Sequence, residues 1–269
     1  MVDLSIIIVS YNARIDLQRC LASLHTTPPT TPHEIIVVDN HSEDGSAGAA
    51  RAYPDVTVLE TDSNLGFARA TNVGIRAASG NLLLLLNSDT LVPAGAIDRL
   101  VAVLVRHPEA AVAGPRLVNR QGRAELSFGP MVGPLNELRQ KLLSRGHAAG
   151  IPIVTALVER SVRRMQTPAW VSGACLLVRR EDAQAVGLLD ERYFMYTEDV
   201  DFCAAIRARG RAVLFTPEVE IVHLRGRSVA SDPESTRRAY RRSHLAFYQK
   251  HHPVWAPFLR LYLSLRGEI

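Results

Sequence analysis

The sequence predicts an α/β fold on a mostly parallel sheet flanked by helices, with a smaller mixed region and a helical C-terminus. Two observations carry this. In the first half of the chain, short apolar runs alternate with stretches of helical spacing, which calls for strand–helix–strand units with right-handed crossovers. Within that pattern Leu82 to Leu86 are five consecutive leucines, a run suited to a strand buried on both faces.

Leu4 to Ser10 is an apolar, β-branched run, and Arg14 to His25 then places Leu17, Cys20, Leu21 and Leu24 at helical spacing. A Pro/Thr-rich loop, Thr26 to Pro32, leads into a strand over Glu34 to Asp39. Ser42-Glu43-Asp44-Gly45-Ser46 punctuates the chain, a short helix over Ala47 to Tyr53 follows, and Val56 to Glu60 reads as a third strand. Gly66 to Ser79 is Ala-rich and helical, and Gly80 stops it before the leucine strand. Pro93 opens a helix ending near His107, and Val112 to Leu117 is a further strand. Gly122 to Pro168 is weakly patterned and rich in Gly, Pro and Arg, and is read as a mobile excursion. Trp170 to Val178 reads as a strand, Asp199 to Arg209 as a helix, and Ala212 to Thr216 and Glu220 to Leu224 as short strands. From Pro233 onward the chain is helical, with a basic face and aromatics. The expected division is a first α/β half (1–120), a second half of the same domain (121–228) and a helical tail (229–269).

A chain of 269 residues, 47% apolar and 22% charged, fits a globular enzyme. Leu4 to Val9 is too short for a signal or a membrane span, so no secretory leader is expected. Cys20, Cys175 and Cys203 are scattered and odd in number, which implies neither a disulfide framework nor a CxxC metal site; a reducing cytoplasm fits. The net charge of +4 hides an asymmetry: from Arg225 onward nine Lys/Arg face three acids. A basic tail points to an anionic partner, whether a phosphate-bearing ligand, a membrane surface or nucleic acid.

The strands of the first half end in Ser10-Tyr11-Asn12, Asp39-Asn40, Glu60-Thr61-Asp62 and Asn87-Ser88-Asp89. Each alone is ordinary turn chemistry. Together they make one wet edge on a dry sheet, where the carboxyl ends of strands face the ligand crevice. Asp89 has two open readings, a helix cap or an oxygen ligand for a hard divalent cation. Neither G-x-G-x-x-G nor G-x-x-x-x-G-K-[ST] occurs after the first strand, so a bound diphosphate would need a metal and basic side chains. Arg69 falls in the first turn of its helix, where a cation opposes the dipole unless it meets an anion. It is a candidate nucleotide contact, or a surface arginine paired with Asp62. In Tyr193 to Asp201, Thr197 is a natural N-cap, while Glu198, Asp199 and Asp201 exceed what capping needs. That turn is a candidate for a general base. His223 suits Mn²⁺ and could complete a metal site with Asp89, with Arg225-Gly226-Arg227 as a phosphate-handling loop; the alternative is a structural histidine.

With these residues assembled, positions 4 to about 228 resemble the inverting nucleotide-sugar glycosyltransferases of family 2, which have the GT-A fold. The matching pieces are Ser5 to Asn12, Ile35 to Asn40 with Asp44-Gly45-Ser46, Asn64 to Ala68 with Asn72-Val73-Gly74, and Leu86 to Asp89. Trp170 to Ala174, Glu198 to Asp201 and His223 to Ser228 complete the series. The resemblance implies that Asp39 hydrogen-bonds the nucleotide base, with Asp62 and Arg69 in support. Ser10, Tyr11, Asn12, Asn72, Asn87 and Ser88 fall on the same nucleotide-sugar side. Asp89, with His223, would hold a divalent cation, Mg²⁺ or Mn²⁺; Asn87 stands where the family's motif has its first Asp. Asp199 would be the general base, with Glu198 as the alternative, and Trp170, Gly173 and Asp201 would lie on the acceptor side.

Within the family the pattern is most similar to bacterial rhamnosyltransferases, which implies a dTDP- or UDP-linked donor and a saccharide or lipid-linked acceptor in cell-wall or surface polysaccharide synthesis. No nucleic-acid partner is expected. The tail, with Phe247, Tyr248, Trp255, Phe258 and Tyr262, suits peripheral contact at the inner face of the cell membrane. Packing on the core or on a second subunit in a homodimer is its alternative. Two other functions stay open. A sugar-nucleotide nucleotidyltransferase calls for a Gly-rich, Lys-containing loop after the first strand, and Ser10 to Arg14 has none. A non-catalytic nucleotide-sugar-binding module would have no use for the acids of the Glu198 turn.

Overall fold

A computed structural model of the chain describes residues 2–224 and 233–268. Its first half runs β1 (Leu4–Ser10), α1 (Arg14–Thr26), β2 (His33–Asp39), α2 (Ser46–Arg51), β3 (Val56–Glu60), α3 (Phe67–Ala77) and β4 (Leu82–Asn87). β1 pairs in parallel with β2 and with β4, and β2 in parallel with β3. Alternate residues of these strands feed two different cores. Ile6, Ile8, Leu84 and Leu86 pack with Leu17, Leu21 and Leu24 of α1, whereas Ile7, Leu83 and Leu85 pack with Ile75 of α3. A strand dry on both sides has no polar position, which is why the leucine run does not alternate.

The second half runs β5 (Thr90–Leu91), α4 (Ala96–Arg106), β6 (Ala110–Val118), β7 (Phe128–Gly129), α5 (Pro134–Ala148), α6 (Pro152–Ser161), β8 (Trp170–Val171), β9 (Cys175–Arg179) and α7 (Arg180–Ala185). It ends with α8 (Glu198–Ala208), β10 (Ala212–His223), α9 (Pro233–His251) and α10 (Ala256–Leu265). One eight-stranded sheet has the order β3-β2-β1-β4-β9-β6-β10-β5. β9 lies antiparallel between β4 and β6, β10 is parallel to β6, and β5 is antiparallel to β10, so the sheet is mixed on this side. β7 and β8 form a separate antiparallel ribbon.

Several sequence expectations need correction. Trp170 to Val178 is not one strand: Trp170 and Val171 pair with β7, while Cys175 onward pairs with β4. The break at Ser172 to Ala174 frees Gly173 for the cavity described below. Ala212 to Thr216 and Glu220 to Leu224 are instead one strand, β10, bulged between Thr216 and Glu220 where Pro217 cannot donate to a ladder. The excursion from Gly122 to Pro168 contains two helices, each with a proline in its first turn. Their periodicity was masked because Leu135, Leu138 and Leu142 face solvent while the inner side of α5 is polar. α9 is no free tail, since Phe247 and Tyr248 are buried in the core.

Candidate active site

A cavity of about 860 Å³ opens at the carboxyl ends of β1, β2 and β4, and is closed on its other side by the start of α8 and by α9. At the end of β1, Tyr11 is exposed on the wall, and Asn12 turns with a φ of 48°. Asn12 braces the neighbouring loop: its N–H donates to Ser42 Oγ at 2.9 Å and its Oδ1 accepts the Glu43 N–H at 2.8 Å. Behind it, Ser10 Oγ and Asp39 Oδ1 are buried with no partner among the described residues, while Asp39 Oδ2 accepts the Ser42 N–H at 2.9 Å. Buried polar atoms left without partners mark places where a ligand can complete the network.

The β4 end contributes Asn87, Ser88 and Asp89 to the wall. Asp89 Oδ1 lies 3.3 Å from His223 Nε2, and His223 Nδ1 lies 3.1 Å from Glu125 Oε2. Burial alone would lower the imidazole's pKa, but the hydrogen bonds to Asp89 and Glu125 outweigh it and push it up to about 9. Glu125 went unnoticed in the sequence because it lies in the weakly patterned stretch; nothing in its local sequence marks it. Among the described residues no group of three His, Cys, Asp or Glu is set to hold a metal. The oxygen-plus-imidazole pair of Asp89 and His223 fits a Mn²⁺- or Mg²⁺-type ion only if a ligand's oxygens complete the shell.

The opposite wall is built by an unusual turn. Tyr196 and Thr197 are consecutive non-glycine residues in the left-handed region, with φ of 70° and 66°. Such conformations cost about 1–3 kcal/mol each and persist only where surroundings enforce them. Here Tyr196 packs edge-on against Tyr240 of α9 at 5.6 Å. Thr197 occupies the cap position but makes no side-chain cap, correcting that expectation; its hydroxyl is buried without a partner among the described residues. The turn delivers Glu198 and Asp199 to the cavity. Asp199 Oδ2 accepts the Gly173 N–H at 2.9 Å and Oδ1 accepts the Val200 N–H at 2.8 Å. Glu198 is 6% exposed, and its Oε2 has no partner among the described residues. Burial raises both carboxyl pKa values, and Glu198 rises further because the Asp199 charge sits beside it. Two amides support the Asp199 anion, whereas the neighbouring Asp199 charge adds to burial in disfavouring ionisation of Glu198.

Other residues expected at the site lie elsewhere. Arg69 is exposed and pairs with Glu191 at 3.5 Å rather than with Asp62, and Asp62 is exposed on the loop after β3. Asn72 is buried, donating to Leu189 O at 2.8 Å and accepting the Leu189 N–H at 3.1 Å, so it ties α3 to the loop before α8. Trp170 is buried in the small ribbon and donates Nε1–H to Pro130 O at 2.9 Å. Asp201, one turn into α8, points into the protein instead of toward an acceptor. Arg225, Gly226, Arg227 and Ser228 lie outside the described residues. The sequence reading also missed Thr236 and Ala239 of α9, which line the cavity; the tail's basic character had pointed outward.

A sequence model described as glycosyl transferase family 2 matches residues 5–164. The chain is 32% identical to an N-acetylglucosaminyl-diphospho-decaprenol L-rhamnosyltransferase of Mycobacterium tuberculosis, across 99% of this chain and 92% of that protein. Among solved structures it resembles the mannosyltransferase PcManGT of Pyrobaculum calidifontis, solved with GDP-Man and Mn²⁺, at a TM-score of 0.65 and 20% identity. That match covers 96% of this chain and 68% of the other. It also resembles S. aureus TarS 1-349 in complex with UDP-GlcNAc, at a TM-score of 0.59 and 19% identity, over 89% and 64% of the two chains. These likenesses establish a GT-A fold.

Proposed function

We propose a specific reaction for this chain, which belongs to glycosyl transferase family 2. It is the inverting transfer of a sugar, with L-rhamnose as the leading candidate, from a dTDP- or UDP-linked donor to a hydroxyl of a lipid-linked saccharide. The observation that carries this reading is one cavity shared by the Asn87-Ser88-Asp89 turn and by Asp199, whose carboxylate is aimed by the amides of Gly173 and Val200.

Each residue then has a task. Asp39, with Oδ1 unpartnered among the described residues, offers an acceptor to the imide N–H of a thymine or uracil, and Tyr11 offers a face for stacking. Asp89 and His223 would hold a divalent cation, Mg²⁺ or Mn²⁺, whose charge stabilises the departing diphosphate. Asp199 takes the proton from the acceptor hydroxyl as that oxygen attacks the anomeric carbon, and the bond to the diphosphate oxygen breaks on the opposite face. A single displacement inverts the configuration. Burial and the Asp199 charge hold the Glu198 pKa up, and the amides of Gly173 and Val200 favour the Asp199 anion, which supports Asp199 over Glu198 as the base.

The name of the mycobacterial relative supports a lipid-linked acceptor and L-rhamnose, and Mn²⁺ in the PcManGT structure supports a metal. No helix among the described residues is long and apolar enough to cross a membrane. Peripheral contact at the inner face of the membrane would give access to a lipid-linked acceptor, and Trp255, with Phe258 and Tyr262 of α10, is exposed for it.

The test is nucleoside diphosphate release from dTDP-L-rhamnose, UDP-sugars and GDP-mannose with Mg²⁺ or Mn²⁺, for wild type and Asp199→Asn. The expected result is turnover of dTDP-L-rhamnose, with kcat lowered about 10²–10⁴-fold in Asp199→Asn and nucleotide binding retained. Turnover of another donor alone overturns the rhamnose assignment, and full activity in Asp199→Asn overturns the base assignment.

A further inference from the structure

The cavity leaves unexplained the helical hairpin of α5 and α6, which exposes apolar side chains on both helices; α5 turns leucines outward, while α6 also buries Val158 in the core. Leu135, Leu138 and Leu142 recur at helical spacing along α5, and Leu135 is 82% exposed. The inner side of α5 is held by polar contacts: Asn136 donates to Met131 O at 2.9 Å, Glu137 meets His244 Nε2 at 3.0 Å, and His147 Nε2 meets Ala124 O at 3.1 Å. On α6, Ile153 is 76% exposed and Leu157 lies one turn on, also exposed. An ordinary surface helix has the reverse of the α5 polarity, and α6 carries Ile153 and Leu157 outside in addition to Val158, which it buries.

Arginines and a lysine surround this apolar stripe. Arg139, Lys141 and Arg145 are exposed on α5, and Arg160 and Arg164 on and just past α6; none has an ion pair among the described residues. The two acids of the hairpin are spoken for, Glu137 by His244 and Glu159 by Arg116 and Arg163. The hairpin also adjoins the end of the chain, because His252 Nε2 meets Val132 O at 2.7 Å just before α5. From that junction Trp255, just before α10, and Phe258, Leu261 and Leu265 of α10 face outward, a second exposed apolar stripe at helical spacing. α9, which joins the two, forms part of the cavity wall through Thr236 and Ala239.

We propose that the α5–α6 hairpin is a second, independent membrane-docking element whose partner is an anionic phospholipid surface. Leu138, Leu142, Ile153 and Leu157 enter the acyl boundary while Arg139, Arg145, Arg160 and Arg164 contact lipid phosphates. Charge selects this occupant over a second copy of the chain. A two-fold dimer through this face would set unpaired cations against the same cations, whereas an anionic bilayer neutralises them. The proposal deepens the reading of the enzyme as acting on a lipid-linked acceptor: docking through both elements holds the cavity at the membrane surface.

The test is sedimentation with vesicles of phosphatidylglycerol and phosphatidylcholine, or of phosphatidylcholine alone, at low salt and at about 0.5 M salt, where screening is strong. The proteins are wild type, a hairpin variant (Leu138→Gln, Leu142→Gln, Leu157→Gln) and a tail variant (Phe258→Gln, Leu261→Gln). Nucleoside diphosphate release in solution and circular dichroism check that each variant is folded. The expected result is salt-sensitive binding of wild type to the anionic vesicles only, weakened about tenfold or more in each variant separately. Wild-type binding by the hairpin variant, alongside loss in the tail variant, overturns the hairpin proposal and leaves the tail contact standing. Loss of a lipid-free dimer in the hairpin variant, seen by analytical ultracentrifugation, overturns it in favour of a second copy. No vesicle binding by wild type overturns both.

Discussion

His251 Nε2 lies 2.6 Å from Asp201 Oδ1, which fastens the helix that carries the candidate base to the C-terminal region of the chain. Lys250 Nζ meets Asp201 Oδ2 at 2.9 Å and Asp190 Oδ2 at 2.8 Å, and Tyr193 donates its hydroxyl to Asp201 Oδ1 at 3.2 Å. Asp201 is 2% exposed, so these partners take the place of water around its carboxylate oxygens. Loss of that carboxylate leaves Lys250 still paired with Asp190, and both Lys250 and His251 partly exposed, so the cost is that of the lost charged hydrogen bonds, about 1–3 kcal/mol. Asp201→Ala is expected to lower the melting temperature by about five degrees, at about 2–4 °C per kcal/mol for a chain of this size. It is also expected to lower kcat, since α8 loses its anchor two residues past Asp199. Thermal melts and turnover check this; an unchanged melt would remove Asp201 from the role of anchor.

The carboxyl pair gives a pH dependence with a defined sign. Burial raises both Asp199 and Glu198, and the Asp199 charge raises Glu198 further. Between the unfolded values, about 4, and the raised folded values, the native state binds more protons than the unfolded state. Stability contributed by these groups is therefore present at low pH and lost as pH rises. Activity is expected to run the other way, because Asp199 as the proposed base must ionise to accept a proton. The acid limb of kcat is expected above the ordinary carboxylate range. Glu198→Gln is expected to keep that limb, which burial of Asp199 sets, and to flatten the decline of stability with rising pH. A pH–rate profile and a pH series of melts measure both, and loss of turnover in Glu198→Gln would instead make Glu198 the base.

Glu125 is placed to orient the imidazole proposed to bind a metal, its Oε2 lying 3.1 Å from His223 Nδ1 while Nε2 faces Asp89. Carboxylates behind ligating histidines typically contribute 10–100-fold to metal affinity. Glu125→Ala is expected to weaken Mn²⁺ binding by about tenfold or more in the presence of nucleoside diphosphate, and excess EDTA is expected to abolish turnover. Titration of Mn²⁺ by electron paramagnetic resonance reads the first effect without relying on activity. Unaltered Mn²⁺ affinity in Glu125→Ala would reduce Glu125 to a structural partner.

The parts legible in the sequence were those in which local pattern and final environment agree. The leucine strand is dry on both faces, so its composition names its place, and its polar end at Asn87 to Asp89 opens onto the cavity as expected. Residues failed where a motif position serves packing. Asn72 lies among the matching residues, yet its amide is consumed by the backbone of Leu189, and Asp201 shares a turn with Asp199 but points to the opposite side of α8. Nothing local separates an acid aimed at solvent from one aimed at Lys250, because the partner is 49 residues away. The α5–α6 hairpin was missed for a related reason: its leucines face outward, so its pattern does not report a core.

Gly66 offers the most local test of how the base is aimed. Its φ of 80° and ψ of 172° lie in a region that only glycine adopts readily, and a Cβ there would sit 2.4 Å from the Phe194 carbonyl oxygen. That closeness lets the Phe67 N–H donate to Phe194 O at 2.6 Å, pinning the segment that leads into Tyr196, Thr197 and the acid pair. Gly66→Ala carries about 1–3 kcal/mol of backbone strain and must also push the Phe194 segment away. A fall of several degrees in melting temperature and a drop of about tenfold or more in kcat are expected. Gly48→Ala is the control, because a methyl group there meets nothing within 4 Å and alanine favours the helix α2. Equal behaviour of the two variants would show that the contact between Gly66 and Phe194 does not position Asp199.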